Sequence, residues 1–174
     1  TGARHKIFRF LSMGWTGAHE QWRHYTRGYL FFAALATPLV ISVHSFVSWD
    51  FALGIVPGWH TTIFAPYFVA GAIHSGLAMV LTLMIPLRKL FKYEDIITIE
   101  VLQNVAKTIV FTGLIVGLAY GTEYFIAWYS HNTVEMEQFR WRALGDYRWG
   151  FFFMVLCNPL IPLLFLFRKV RTTI

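Results

Sequence analysis

Apart from Lys107, four titratable side chains stand out inside or at the ends of long apolar runs: His44, Asp50, His74 and Glu123. Ionisable groups at membrane depth are expensive, so by default they mark proton relays, ion paths or ligand sites. At ~1.5 Å of rise per residue, Asp50 stands at one mouth, just after Trp49, with His44 about 9 Å deeper. Glu123 lies about 9 Å below the same end of its own run, and His74 about 20 Å down, near the midplane. Together they read as a descending ladder of proton-binding groups, with His44, His74 and Glu123 as a proton path. Asp50 is the strongest candidate for chemistry. It follows an apolar stretch and precedes Phe51-Ala52-Leu53, so it is expected to be partly desolvated, which suits a carboxylate to accept protons near neutral pH. Plainer roles stand beside these. His74, near Gly71, Ser75 and Ala78, could bond a neighbouring carbonyl, His44 could be a packing residue, and Glu123 could pair with an outside arginine such as Arg140 or Arg148. A b-type haem between His44 and His74 needs both rings at one level, and their depths differ by roughly 12 Å, so no haem is expected. Cys157 is the single cysteine and supports no disulfide, CxxC zinc site or iron–sulfur cluster.

The elements that carry these residues are apolar spans. Of 174 residues, 56% are hydrophobic and 14% charged, against about 25% charged in a soluble domain. That excludes an ordinary water-soluble enzyme and a disordered chain. Four runs reach the ~20 residues needed to cross a bilayer: 28–49, 61–87, 105–129 and 147–167. The expected fold is an all-α membrane protein, a four-transmembrane-helix bundle over 27–174, preceded by a basic cytoplasmic or interfacial segment over 1–26. Gly54, Pro57 and Gly58 mark a turn between the first two spans. The net charge is +6, but its placement follows topology. Eleven of the fifteen Lys/Arg residues fall on one side (Arg4, Lys6, Arg9, Arg23, Arg27, Arg88, Lys89, Lys92, Arg168, Lys169 and Arg171). Arg140, Arg142 and Arg148 fall on the other, and Lys107 lies near the inner end of the third span. The positive-inside rule places the eleven, and both ends of this chain, in the cytoplasm. This distribution suits anionic lipid rather than nucleic acid.

Small residues recur one turn apart: Gly113, Gly117 and Gly121 in the third span, Gly71 with Ser75 and Ala72 with Gly76 in the second. They predict close helix packing. Pro38, Pro66, Pro86, Pro159 and Pro162 lie in or near spans and can kink them. Neither end of the sequence resembles a signal peptide, and both resemble cuts through a longer protein.

One stretch carries a longer pattern: HSFVSWDFA over 44–52, then PGWHTTIFAPYFVAGA over 57–72. With TEYFIAWYS at 122–130 and Cys157-Asn158-Pro159 followed by Pro162, it resembles the NrfD/polysulfide-reductase family of membrane subunits. It is most similar to the quinol-oxidising subunits of bacterial alternative complex III. The resemblance implies an all-helical subunit of the bacterial inner membrane, built from two four-helix bundles, of which this chain is about half. It implies that no haem or metal is bound by the chain and that the substrate is a quinol, menaquinol or ubiquinol, oxidised near the periplasmic face. Electrons then pass to a periplasmic iron–sulfur subunit and on to c-type haem subunits, beside a homologous second membrane subunit. Asp50 matches the family's pocket aspartate in SWDFA. The family's other pocket residues, a histidine and an aspartate, come from the preceding bundle and are outside this chain. Trp49, Trp59, His60 and Phe64, close to the turn, are the expected aromatic wall and polar contact of the quinol site.

Other readings are a membrane anchor of a quinone-linked molybdopterin/iron–sulfur oxidoreductase, a purely structural anchor, and a transporter. A transporter usually carries paired broken helices in two related halves, and this sequence has no such halves.

Overall fold

The computed structural model describes residues 2–56, 59 and 63–172, all of them helix, turn or connecting loop. The elements are α1 (Ala3–Leu11), α2 (His19–Ala52), α3 (Phe64–Leu90), α4 (Ile99–Tyr129), α5 (Thr133–Leu144), α6 (Arg148–Val155), a π-helical turn (Leu156–Leu160), a 3-10 segment (Ile161–Leu166) and α7 (Arg168–Thr172). Four stretches are long and apolar enough to span a membrane: α2, α3, α4 and the composite Arg148–Leu166. The chain is therefore a multi-pass, all-helical membrane protein. Pro57, Gly58 and His60 lie outside the described residues.

Two compact units divide the chain, Thr1–Val43 and His44–Ile174. In the first, α1 leads through a short turn into the long α2. Thr37 and Ser42 bracket Pro38, their hydroxyls donating to the carbonyls of Ala33 and Pro38, and the helix runs on through the proline.

In the second unit α4 is the axis. Thr98 caps it, accepting from the Val101 amide. Its buried residues include Leu102, Ala106, Ile109, Gly113, Val116, Tyr120, Glu123 and Ala127, an unbroken alternation of three and four residues that forms one continuous stripe. The neighbours are α3, packed along it, and the broken span Arg148–Leu166. At the α3–α4 connection the Arg88 Nε donates to the Ile97 carbonyl at 2.8 Å.

The break in the last span has a covalent cause. Pro159 and Pro162 lack N–H groups, so two rungs of the i→i−4 ladder cannot form. Instead the Ile161 amide reaches back to the Leu156 carbonyl, a π-type bond, and the Ile161–Leu166 segment tightens to 3-10 geometry. The irregular stretch packs on the glycines of α4. A Cβ on Gly117 would stand 2.8 Å from the Cβ of Pro159, and one on Gly113 3.0 Å from the Asn158 carbonyl oxygen. The expected close approach is thus real at Gly113 and Gly117. It is not found at Gly121, Gly71 or Gly76, where a Cβ would meet nothing within 4 Å.

The stretch between the third and fourth spans differs from a plain polar connection, because residues Thr133–Leu144 form α5. Asn132 caps it by accepting from the Val134 and Glu135 amides. Phe139 is its buried anchor, packed edge-on against Tyr124 with ring centroids 4.8 Å apart.

Candidate functional site

At the end of the second unit where α2 stops, α3 starts and α4 finishes, a cavity of about 360 Å³ opens between the helices. Three aromatic residues from the turn region, Phe51, Trp59 and Phe64, form one wall. Tyr67, Tyr120 and Tyr124 bring phenol groups, and Glu123 and Arg142 are the two charged groups among the lining residues. The wall is ordered by ring contacts. Phe51 meets Trp59 edge-to-face at 5.3 Å, Trp59 stacks on Phe64 at 6.3 Å, and Phe64 stacks on Phe68 at 6.1 Å.

The polar groups reach the cavity because of helix periodicity. Tyr120, Glu123 and Tyr124 are three and four residues apart and share one face of α4. Glu123 is buried. Its near cation is Arg142, delivered by α5, an arginine of the expected side other than Arg140 and Arg148. Arg140 is exposed, and the Arg148 guanidinium lies over the Trp149 ring at 5.5 Å. Arg142 itself also stacks over Phe139 at 5.0 Å.

Below the cavity the polar groups continue as a column. Tyr67 and Tyr120 meet edge-to-face at 5.6 Å, and the Asn158 Nδ2 donates to the Tyr120 hydroxyl at 2.9 Å. About 12 Å further along α4, eight residues before Tyr120, lies Thr112. Its Oγ1 is 3.0 Å from the His74 Nδ1, and both residues are buried. The Thr112 hydroxyl also stands 3.0 Å from the Thr108 carbonyl and 3.2 Å from that of Ile109. The hydroxyl has one proton: given to Nδ1 it makes that nitrogen the acceptor, and given to a carbonyl it leaves Oγ1 to accept from an Nδ1–H. Asn158 sits on the irregular turn. Its carbonyl cannot receive the usual bond from residue 162, which is proline, and it points at Gly113, close to His74. The break in the last span is thus what brings this amide and carbonyl into the column.

Of the residues singled out from sequence, the cavity gathers Trp59, Phe64 and Glu123, while His74 lies in the column beneath. His44 stands apart. It is half-buried, its ring is 6.2 Å from that of Phe68, and it lines a groove with Gly71, Ala72 and Ser75. Asp50 and Trp49 are exposed on the last turns of α2, and neither lines the cavity. The expected partial desolvation of Asp50 is not seen within this chain, where Phe51, itself 43% exposed, is the residue of that turn that lines the cavity. His60 lies outside the described residues. Tyr67, Tyr120, Tyr124, Arg142 and Asn158 were not anticipated. The signal for two of them was present in the sequence, because Tyr120 and Tyr124 flank Glu123 at one-turn spacing.

Among the described residues no group of three or more His, Cys, Asp or Glu side chains is placed to hold a metal. The family model for polysulphide reductase, NrfD, matches residues 4–174. No curated protein matches the chain.

Proposed function

Because the chain belongs to the polysulphide reductase NrfD family, whose members are membrane subunits of quinone-linked redox complexes alongside iron–sulfur or molybdoenzyme subunits, we propose that it serves quinol oxidation of the alternative complex III kind. The headgroup binds at the outer end of the second unit, on the face of α2 that carries Asp50 and Trp49. Helices outside this chain close the pocket over that face. Quinol gives up two electrons and two protons. The electrons leave to a periplasmic iron–sulfur subunit and then to c-type haem. Asp50 accepts a hydrogen bond from a quinol hydroxyl and takes its proton. Trp49, Trp59, His60 and Phe64 make the aromatic and polar surround, and His44, His74 and Glu123 carry protons away from it. In this reading the end with few Lys/Arg residues is periplasmic and both ends of the chain are cytoplasmic.

The observation that supports this reading is the exposed Asp50 and Trp49 on the last turns of α2, next to the turn whose Phe51, Trp59 and Phe64 form an aromatic wall at the charge-poor end of a membrane-spanning unit. The cavity behind that wall, with a buried carboxyl group and an arginine, favours a second reading, in which the quinol ring sits inside it and Glu123 is the proton acceptor. Its volume falls within the ~300–1,000 Å³ common for small-molecule sites.

Asp50→Asn and Glu123→Gln in the intact complex separate the two, with quinol oxidation and proton release measured together. The first reading expects Asp50→Asn to stop oxidation, and Glu123→Gln to spare oxidation while lowering proton translocation. The second expects Glu123→Gln to stop oxidation. If neither variant alters either quantity, both readings fail and a structural anchor remains.

A further inference from the structure

We propose that the first unit carries a binding surface for anionic phospholipid, with α1 lying in the headgroup plane of a negatively charged leaflet. The proposal concerns Thr1–Val43 alone and does not rest on the quinol reading.

The helix is two-faced. At 100° per residue, Ile7, Phe8 and Leu11 fall in one sector with Phe10 at its edge, and His5, Lys6 and Arg9 occupy the opposite sector. Arg4 begins on the apolar side, and its guanidinium folds over the Phe8 ring at 5.5 Å. The four apolar side chains are 56%, 57%, 82% and 63% exposed for Ile7, Phe8, Phe10 and Leu11. Such a contiguous exposed apolar face calls for an apolar surface to cover it.

Charge and level identify that surface. Residues 4–27 carry Arg4, Lys6, Arg9, Arg23 and Arg27 against a single carboxylate, Glu20, which is already paired with Arg23. A mixed basic and aromatic face of this kind complements anionic headgroups over an acyl layer. An aromatic cluster at the head of α2 marks the membrane–water boundary. Trp15 meets Trp22 at 5.1 Å, Trp22 meets Tyr25 at 5.9 Å, and Tyr25 stacks on Tyr29 at 6.4 Å.

The turn between the helices fixes α1 near that boundary. Gln21 staples it: its Oε1 accepts from the Thr16 amide at 2.8 Å, the Thr16 hydroxyl at 3.0 Å and the Gly17 amide at 3.0 Å. Its Nε2 donates to the Gly14 carbonyl at 3.1 Å. Gly14 and Gly17 supply the left-handed φ values of 82° and 76° that the turn requires.

Hydrogen exchange of α1 amides tests this with the full chain in nanodiscs, of phosphatidylcholine alone or of an equal mixture with phosphatidylglycerol. Each surface cation strengthens binding about fivefold, so exchange should slow at least about tenfold when the anionic lipid is present. High salt should reverse the slowing, and the variant Arg4→Gln/Lys6→Gln/Arg9→Gln should lack it while α4 amides stay protected. Equal rates in the two lipids overturn the proposal. Fast exchange in both means no bound surface, and slow exchange in both means that protein covers the apolar face. If the triple variant does not assemble, the lipid and salt comparison on the unaltered chain decides.

Discussion

Asp50 and Glu123 are carboxylates at the same end of the second unit, and their surroundings differ in kind. Asp50 sits on the last turn of α2, exposed, with Trp49 beside it at the surface. Glu123 is buried on α4, shares a cavity with Arg142, and stands above a column of tyrosine, asparagine, threonine and histidine. The contrast extends to the two helices: in its second-unit part α2 buries Ser48 alone, whereas α4 buries a stripe along its length. A surface carboxylate can meet a ligand or partner with little internal rearrangement. A buried one is tied to the packing that holds it. The two sites should therefore respond to substitution in opposite ways, one in rate and the other in stability.

The largest effect expected is on rate. Asp50→Asn in the complex should lower quinol oxidation by about 10²–10⁴-fold, the range for loss of a positioned general base. Its thermal stability should stay within about 0.5 kcal/mol, as for surface substitutions. Steady-state quinol oxidation and thermal unfolding of the same preparation check both halves. A large loss of stability with unchanged turnover would erase the contrast.

Next comes Arg142 beside Glu123. Arg142→Gln removes the near cation from a cavity that keeps a buried carboxyl group, and it should lower stability. The double variant Arg142→Gln/Glu123→Gln should recover most of that loss, because the buried carboxyl group is gone as well. Unfolding midpoints for the two single variants and the double variant measure it. No recovery would mean that Arg142 acts through its contact with Phe139 instead.

How much of this was legible in the sequence follows the physics of each element. The spans were readable because a bilayer demands long apolar runs, and α2, α3, α4 and the 148–166 stretch all satisfy that demand. The Gly113–Gly117 seam was readable from spacing, although spacing could not say which glycines meet a neighbour. Gly121 continues the repeat and faces open space. Helix α5 was not readable from hydropathy because its charges carry both signs. Its Asn132 cap and its single inward Phe139 are local signals too short to stand out. Arg142 was invisible as a site residue for the same reason, since only α5 carries it to Glu123. The exposure of Asp50 depends on which way one turn faces, and that depends on the packing of Phe51 against Trp59 and Phe68.

A smaller effect should separate two glycines of α4. Gly117→Ala would drive a methyl to 2.8 Å from Pro159, and overpacking of this kind costs about 1–3 kcal/mol. Gly121→Ala meets open space and should be neutral or mildly stabilising, since alanine is the better helix former. Comparative unfolding of the two variants in detergent reads the difference directly. Equal outcomes would mean that the broken span is not held against α4 as described.

The smallest effect concerns the column itself. Tyr120→Phe removes the acceptor for the Asn158 amide, and Asn158→Leu removes the donor. Interhelical hydrogen bonds in membrane proteins average about 0.6 kcal/mol in double-mutant cycles, so the coupling between these substitutions should be of that order. A cycle measured on stability isolates it, because each single variant leaves the backbone of the irregular turn intact. The cycle measured on proton release asks the functional question. If the column conducts, both single variants and the double variant should slow proton release to a similar degree, since one missing link interrupts a chain as fully as two. On the proposed reading, the same variants should leave the rate of quinol oxidation close to that of the unaltered complex. Strictly additive losses in proton release would instead assign Tyr120 and Asn158 to packing, with the carboxylate face of α2 and the interior of α4 as independent parts of the subunit.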